Sequence, residues 1–271
     1  MLSPDQCCHS VLQCHRSEQF SAEPFALANG QCAMHYTKSY IKTGPNEDAC
    51  LALQVDDEHA ILAVADGVGG HPLGEMASER QVSLLREMLS HADVDPENLR
   101  NPILNAIETC NQELLGEGKG SATTVTVVEI SHNQIRPYHV GDSSVLITGQ
   151  RGRMRLQTVS HSPVSLGIEA GLLDADQATR SEERNIVLNL VGTQEMRIEI
   201  GATLSLARFD TLLLCSDGLT DNVELDDIAS IIRSGPLRSR IEALQARCQQ
   251  IMHSEVGYPD DLSLILYRRS R

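Results

Sequence analysis

Apolar positions along this chain fall into short dense runs and into spaced helical stripes. Strand-like runs occupy residues 31–40, 49–55 and 59–65, and the third, His59-Ala-Ile-Leu-Ala-Val-Ala65, leads straight into Asp66-Gly67. Two helices are expected next. The first spans 74–90 with Val82, Leu85 and Leu89 on one side, and the second carries Ile103, Ile107, Cys110 and Leu114 at helical spacing. After Gly120 the pattern changes to short strands at 122–130, 134–140, 143–149 and 153–159, whose short connections predict antiparallel meander pairing. Residues 160–185 are polar, acidic and irregular, the character of a flap. A further strand pair leads to Asp210-Thr-Leu-Leu-Leu-Cys-Ser-Asp217-Gly218. Helices at 224–233 and 237–253, the latter with Ile241, Leu244, Cys248 and Ile251 on one face, precede a last strand from Leu262 to Tyr267.

Strands and helices cluster rather than alternate, which predicts an α+β layered domain with helix pairs covering sheet faces, not a doubly wound parallel sheet. Residues 1–30 show no sustained period and read as an N-terminal extension, flexible or partly docked, so the folded domain is expected over 31–271.

Charge narrows the function. With 22 Lys and Arg against 37 Asp and Glu the net charge is −15, and no basic run exists, so a nucleic-acid partner is excluded. Aromatics are only 3%, with no Trp, which also removes a base-stacking platform. No run reaches the length of a membrane span and the first 30 residues lack a secretory apolar segment, so a soluble, cytoplasmic protein is expected. Cys50, Cys110, Cys215 and Cys248 fall on apolar stripes and runs, as reduced core residues do. The group Cys7, Cys8, His9, Cys14 and His15 has zinc-ligand types but no zinc-site spacing, and reads as part of the tail.

The acidic residues carry the chemistry. Two apolar runs end in Asp-Gly, at Asp66-Gly67 and Asp217-Gly218, while Asp260-Asp261 opens the last strand and Asp142 sits in the turn Val140-Gly-Asp-Ser143. Any one Asp-Gly alone reads as a simple turn. An antiparallel last strand would gather all of these carboxylates at one end of the sheets. Two carboxylates about 4 Å apart repel by about 4 kcal/mol at an effective dielectric near 20, and a hard divalent cation reverses that sign. Oxygen-only ligands suit magnesium or manganese over zinc, and glycine after the strand-end Asp lets backbone approach the ion.

On these residues the sequence resembles the metal-dependent protein phosphatase family, also called protein phosphatase 2C, in its bacterial form. The segments that carry the resemblance occur in the family's order: Asn46-Glu47-Asp48-Ala49, Val64-Ala65-Asp66-Gly67-Val68-Gly69-Gly70-His71, Gly74-Glu75-Met76-Ala77-Ser78, Ser121-Ala122-Thr123-Thr124, Val140-Gly141-Asp142-Ser143, His161-Ser162, Ser216-Asp217-Gly218-Leu219-Thr220-Asp221 and Asp260-Asp261-Leu262-Ser263. They span about residues 40–268.

The resemblance implies a four-layer α-β-β-α sandwich of two antiparallel sheets flanked by helix pairs, with a centre of two divalent cations, manganese or magnesium, and a weaker third. Asp66 would bridge the two metals, the Gly67 carbonyl would bind one, and Asp217 and Asp260 the other. These three aspartates form the implied catalytic set. Glu47 and Asp48 match the pair that holds the second ion and its waters, and Asp142 and Asp221 the positions tied to the third metal. Residues 160–185 match the family's variable flap. The implied activity is hydrolysis of phosphoserine and phosphothreonine in proteins by a hydroxide bridging the metals, in line and without a phosphoenzyme. The implied protein is a monomer that opposes a Ser/Thr kinase.

Several positions depart from the family pattern. Its phosphate-gripping Arg falls at Thr43, and the adjacent Lys42 reaches inward only if a loop or bulge forms near Gly44-Pro45; otherwise it is a solvent-facing lysine. Ser144 replaces the Arg of the Gly-Asp-Ser-Arg motif, Asp261 replaces an Asn and is expected in solvent, and Val68 stands where some members have a general-acid His. His71 is expected to be structural or exposed. Arg151, Arg153 and Arg155 are expected on a solvated strand face, with Arg268, Arg269 and Arg271 in a soluble terminus. Thr43 and Ser144 motivate the rival reading of a phosphatase-shaped binding or scaffold module, weak in catalysis. Retention of the mutually repelling carboxylates opposes it.

Overall fold

The computed structural model describes residues 11–16, 18–21, 23–68, 73–91, 93–171 and 186–270. The strands are β1 (Val11–His15), β2 (Gln19–Ser21), β3 (Phe25–Leu27), β4 (Gly30–Thr37), β5 (Asp48–Gln54), β6 (His59–Asp66), β7 (Val125–Ser131), β8 (Gln134–Val140), β9 (Ser144–Thr148), β10 (Met154–Gln157), β11 (Glu199–Ile200), β12 (Leu204–Ser205), β13 (Thr211–Cys215) and β14 (Leu262–Arg269). The helices are α1 (Gly74–Leu89), α2 (Arg100–Glu117), α3 (Pro163–Glu169), the single turn α4 (Asp217–Thr220), α5 (Leu225–Ile232) and α6 (Leu237–Met252).

Two antiparallel sheets form the centre. One runs β1-β5-β6-β7-β8-β11 with β12 also on β8, and the other runs β10-β9-β13-β14-β4-β2 with β3 also on β4. Alternation sends successive residues of each central strand to different layers. Cys50, Ala52, Leu62 and Val64 meet Leu212, Leu214, Ile265 and Tyr267 between the sheets. Leu51, Leu53, Ile61 and Ala63 instead pack on Leu85, Ile103, Ile107 and Cys110 of α1 and α2. On the other flank, Leu213, Leu264 and Leu266 pack on Ile228, Ile241, Leu244 and Cys248 of α5 and α6. Burial on both faces explains why these strands read as unbroken apolar runs. Cys50, Cys110, Cys215 and Cys248 are buried free thiols. Among the described residues no helix is long and apolar enough to cross a membrane.

Several expectations change. The extension expected over 1–30 contributes three edge strands from Val11 onward: β1 pairs with β5, placing Cys14 opposite Cys50, and β2 and β3 pair with β4. Strands of three to five residues at a sheet edge are held by backbone pairing, and such short pieces leave no period to read. Cys14 is buried and its thiol is pushed up to about 12 by that burial, while His15 faces Glu79 at 3.3 Å. Cys7, Cys8 and His9 lie outside the described residues, as does His71.

The meander expected after Gly120 breaks at Val140. β8 and β9, although joined by three residues, belong to different sheets, and β9 pairs with β10 and β13. The crossing turns on Gly141, whose φ of 107° suits glycine and whose absent Cβ leaves room for the Thr124 side chain. Within the irregular stretch 160–185, α3 forms behind an N-cap: the Ser162 hydroxyl accepts from the Ser165 amide at 3.2 Å, and Pro163 follows it. Residues 172–185 lie outside the described ones. Arg151, Arg153 and Arg155 are exposed as expected, but Arg155 and Arg268 are also tied down. Arg155 pairs with the buried Asp210, and Arg268 donates to Thr211 Oγ1 and to the Gly235 and Ile232 carbonyls, tying β14 to the end of α5.

Candidate metal centre

The sheet register determines which carboxylates converge. In the first sheet β5 and β6 place Asp48 directly opposite Asp66. In the second, β13 runs antiparallel to β14 with Cys215 opposite Leu264, so Asp217 after the one strand and Asp260 before the other arrive at the same end. The crossing turn between β8 and β9 adds Asp142. Asp66, Asp142, Asp217, Asp221 and Asp260, with Gly67 and Lys42, line one cavity of about 300 Å³. Among the described residues, Lys42 is its only basic lining residue.

Glycine permits this packing at two points. Gly67 lies against the Gly74 backbone and receives the Glu47 carbonyl on its amide at 3.0 Å, and Gly218 lies against the Asp261 carbonyl; a Cβ at either would collide with backbone. His161 braces the crossing turn, its Nδ1 accepting from the Gly141 amide at 3.0 Å.

Lys42 points inward. Its ammonium lies 2.8 Å from Glu47, 2.7 Å from Asp260 and 3.0 Å from Asp261. This is possible because the chain from Lys38 to Glu47 is a loop rather than a strand, the condition its sequence position required. Burial alone would lower the Lys42 pKa, but Asp260 and Asp261 outweigh it and hold the ammonium charged. Thr43, the position matching the phosphate-gripping residue, is exposed and absent from the cavity lining.

Asp261 is the main surprise. Expected in solvent, it is 2% exposed and accepts from the Ser39 amide at 2.7 Å, the Glu47 amide at 2.8 Å and the Lys42 ammonium at 3.0 Å. It organises the loop that delivers Lys42. Glu47 and Asp48 are likewise not among the lining residues. Asp48 lies behind the cavity, its Oδ2 accepting from the Ser216 hydroxyl at 2.9 Å and the Ser263 hydroxyl at 2.6 Å. The signal for these serines was Ser216 next to Asp217 and Ser263 two residues after Asp261.

The electrostatics of the bare carboxylates are unfavourable. Burial raises Asp66 well above the usual carboxylate range, and the charges of Asp48, Asp217, Asp260 and Asp142 raise it further. Asp217 is raised by burial and then by Asp142, Asp260 and Asp221. Asp142 is pushed up to about 6 by burial, with Asp221 and Asp260 adding repulsion. Asp48 is pushed up to about 7 by burial and Asp261, against the hydrogen bonds from Ser263 and Ser216. One oxygen each of Asp217 and Asp48 is buried without a hydrogen-bond partner among the described residues. A single lysine cannot offset this density of negative charge. An all-oxygen donor set with orphaned lone pairs fits hard divalent cations.

This is the arrangement of a metal-dependent phosphoester hydrolase. A family model, Protein phosphatase 2C, matches residues 37–251. The chain is 31% identical over 234 residues to the serine/threonine phosphatase Stp of Listeria innocua, covering 83% of this chain and 90% of that one. The solved S. agalactiae serine/threonine phosphatase superimposes with a TM-score of 0.78 at 27% identity, covering 88% of this chain and 99% of that one. The catalytic domain of the phosphatase PstP, solved in complex with two manganese ions, shares the fold with a TM-score of 0.72 at 21% identity, over 88% of this chain and 97% of that one. The chain belongs to the protein phosphatase 2C family, and it is a metal-dependent serine/threonine protein phosphatase.

Proposed function

We propose that this phosphatase binds two manganese or magnesium ions through Asp66, the Gly67 carbonyl, Asp217 and Asp260, with a weaker third held by Asp142 and Asp221, and that it acts on phosphoproteins in the cytoplasm as a monomer opposing a Ser/Thr kinase. The observation that carries the metal assignment is the convergence of five carboxylates on one cavity, including an Asp217 oxygen with no partner. The ions, when bound, supply Lewis acidity that lets coordinated water attack phosphorus near neutral pH. The chain's residues do the remaining work. Lys42 brings a charged ammonium to the wall where the phosphate dianion enters, in place of the arginine absent at Thr43. Glu47 and Asp261 hold that ammonium in position, and Asp48 buttresses the wall behind Asp66 and Asp217 through Ser216 and Ser263.

The test is hydrolysis of a phosphothreonine peptide with manganese, with and without chelator. Manganese-dependent turnover that chelator abolishes is expected; turnover indifferent to chelator overturns the assignment. Tight phosphopeptide binding with no turnover would instead favour a scaffold.

A further inference from the structure

At the other end of β6, about 23 Å from Asp66 along the strand, a second set of ligands converges from three separate turns. His59 opens β6 and its side chain is only 3% exposed. Its Nδ1 lies 2.8 and 2.9 Å from the two Asp56 carboxylate oxygens. A carboxylate only accepts, so Nδ1 carries the proton. That leaves Nε2, buried and without a hydrogen-bond partner among the described residues, 3.6 Å from Glu97 Oε1. His132, in the turn between β7 and β8, repeats the arrangement: Nδ1 is 2.6 Å from Glu58 Oε2, and Nε2 is 3.4 Å from the same Glu97 oxygen. The rings stand edge to face with centroids 4.9 Å apart.

Two imidazoles oriented by carboxylates on Nδ1, with both Nε2 atoms aimed at one carboxylate oxygen, reproduce the outer shell that orients histidines on a metal. The three ligand atoms lie within 4.8 Å of one another. Tetrahedral bonds of about 2.0–2.1 Å place ligands about 3.3–3.4 Å apart, close to the 3.4 and 3.6 Å seen here. A trio of His139, His161 and Glu199 also exists, but its nitrogens are committed: His161 Nδ1 accepts from the Gly141 amide and His139 Nε2 donates to the Val159 carbonyl.

We propose that His59, His132 and Glu97 form a separate site for zinc or a similar borderline divalent ion, distinct in ligand type from the all-oxygen centre. Mixed nitrogen and oxygen donors select such ions over magnesium. Glu97 and His132 are 67% and 47% exposed, so a fourth position opens to water. The ion would join the start of β6, the 3₁₀ turn Pro96–Asn98 between α1 and α2, and the β7–β8 turn.

The test is calorimetric titration of the full chain with zinc in saturating magnesium, which keeps the carboxylate centre filled. One zinc per chain is expected, with affinity falling at least about tenfold in His132→Ala and in Glu97→Gln. Both side chains are exposed, so the variants keep the wild-type circular dichroism. Crystals soaked in zinc would show anomalous density between His59 and His132. Zinc binding unchanged in both variants, or anomalous density confined to the carboxylate cavity, overturns the proposal.

Discussion

Asp48 and Asp66 face each other as cross-strand neighbours at the ends of β5 and β6, two acids in a position where like charges oppose pairing. The strands accept that cost because the two side chains serve different purposes. Asp66 opens into the cavity, whereas Asp48 is drawn behind it by Ser216 and Ser263. The first strand pair of one sheet is thereby linked to the ends of β13 and β14 in the other.

Raised carboxylate pKa values make the metal-free protein pH-sensitive in a defined direction. A carboxyl that titrates higher in the folded state than in the unfolded chain binds its proton more tightly when folded, so stability falls as pH rises between the two values. For Asp48 and Asp142 that window runs from the ordinary carboxylate value near 3.8 to about 7 and about 6 respectively. Without divalent cations, the melting temperature should fall between about pH 4 and about pH 7, and manganese should raise it more at the upper end. Differential scanning fluorimetry with and without chelator checks both.

Asp66→Asn and Asp217→Asn remove one charge each from the wall while preserving shape. Turnover of a phosphothreonine peptide should drop at least about 10³-fold, the scale of several kcal/mol of lost electrostatic stabilisation. The metal-free variants should melt no lower than the metal-free wild type, because a repulsive charge has gone. A melting temperature well below wild type would show that these carboxylates serve the fold rather than the chemistry.

Lys42→Ala and Lys42→Arg separate charge from reach. Alanine should raise KM for phosphopeptide about tenfold, in line with a charge-assisted contact worth about 1.5 kcal/mol, and arginine should recover much of it. An unchanged KM in Lys42→Ala would restrict the lysine to holding Asp260 and Asp261 in place.

Gly218→Ala tests the close approach of α4 to the start of β14. The new Cβ would strike the Asp261 carbonyl, and overpacking against backbone costs about 1–3 kcal/mol. Urea denaturation should show that loss, with reduced manganese affinity as Asp217 and Asp260 are pushed out of register.

Much of the layered fold was legible because burial on both strand faces writes long apolar runs, and the helix stripes placed α1, α5 and α6 to within a residue or two and gave the buried face of α2. Four of the cavity's five carboxylates, Asp66, Asp142, Asp217 and Asp260, were legible as strand-end or turn acids, and Asp221 only through the family resemblance. Asp261 was not, since nothing in Asp260-Asp261 tells which carboxylate turns toward backbone amides. Nor did three residues between β8 and β9 announce a change of sheet, because tight turns join strands within one sheet far more often. The pairing of His59 with His132 was invisible for a similar reason: the two lie far apart in sequence and meet only because β6 and β7 are neighbours.

The change of sheet at Gly141 has a mechanical outcome. Asp66 hangs from one sheet, Asp217 and Asp260 from the other, and Asp142 from the strap between them. Under the proposed assignment, an ion gripped by this set would act as a clasp across the seam of the sandwich, so that sliding one half past the other by an ångström would spoil the coordination and the reaction together.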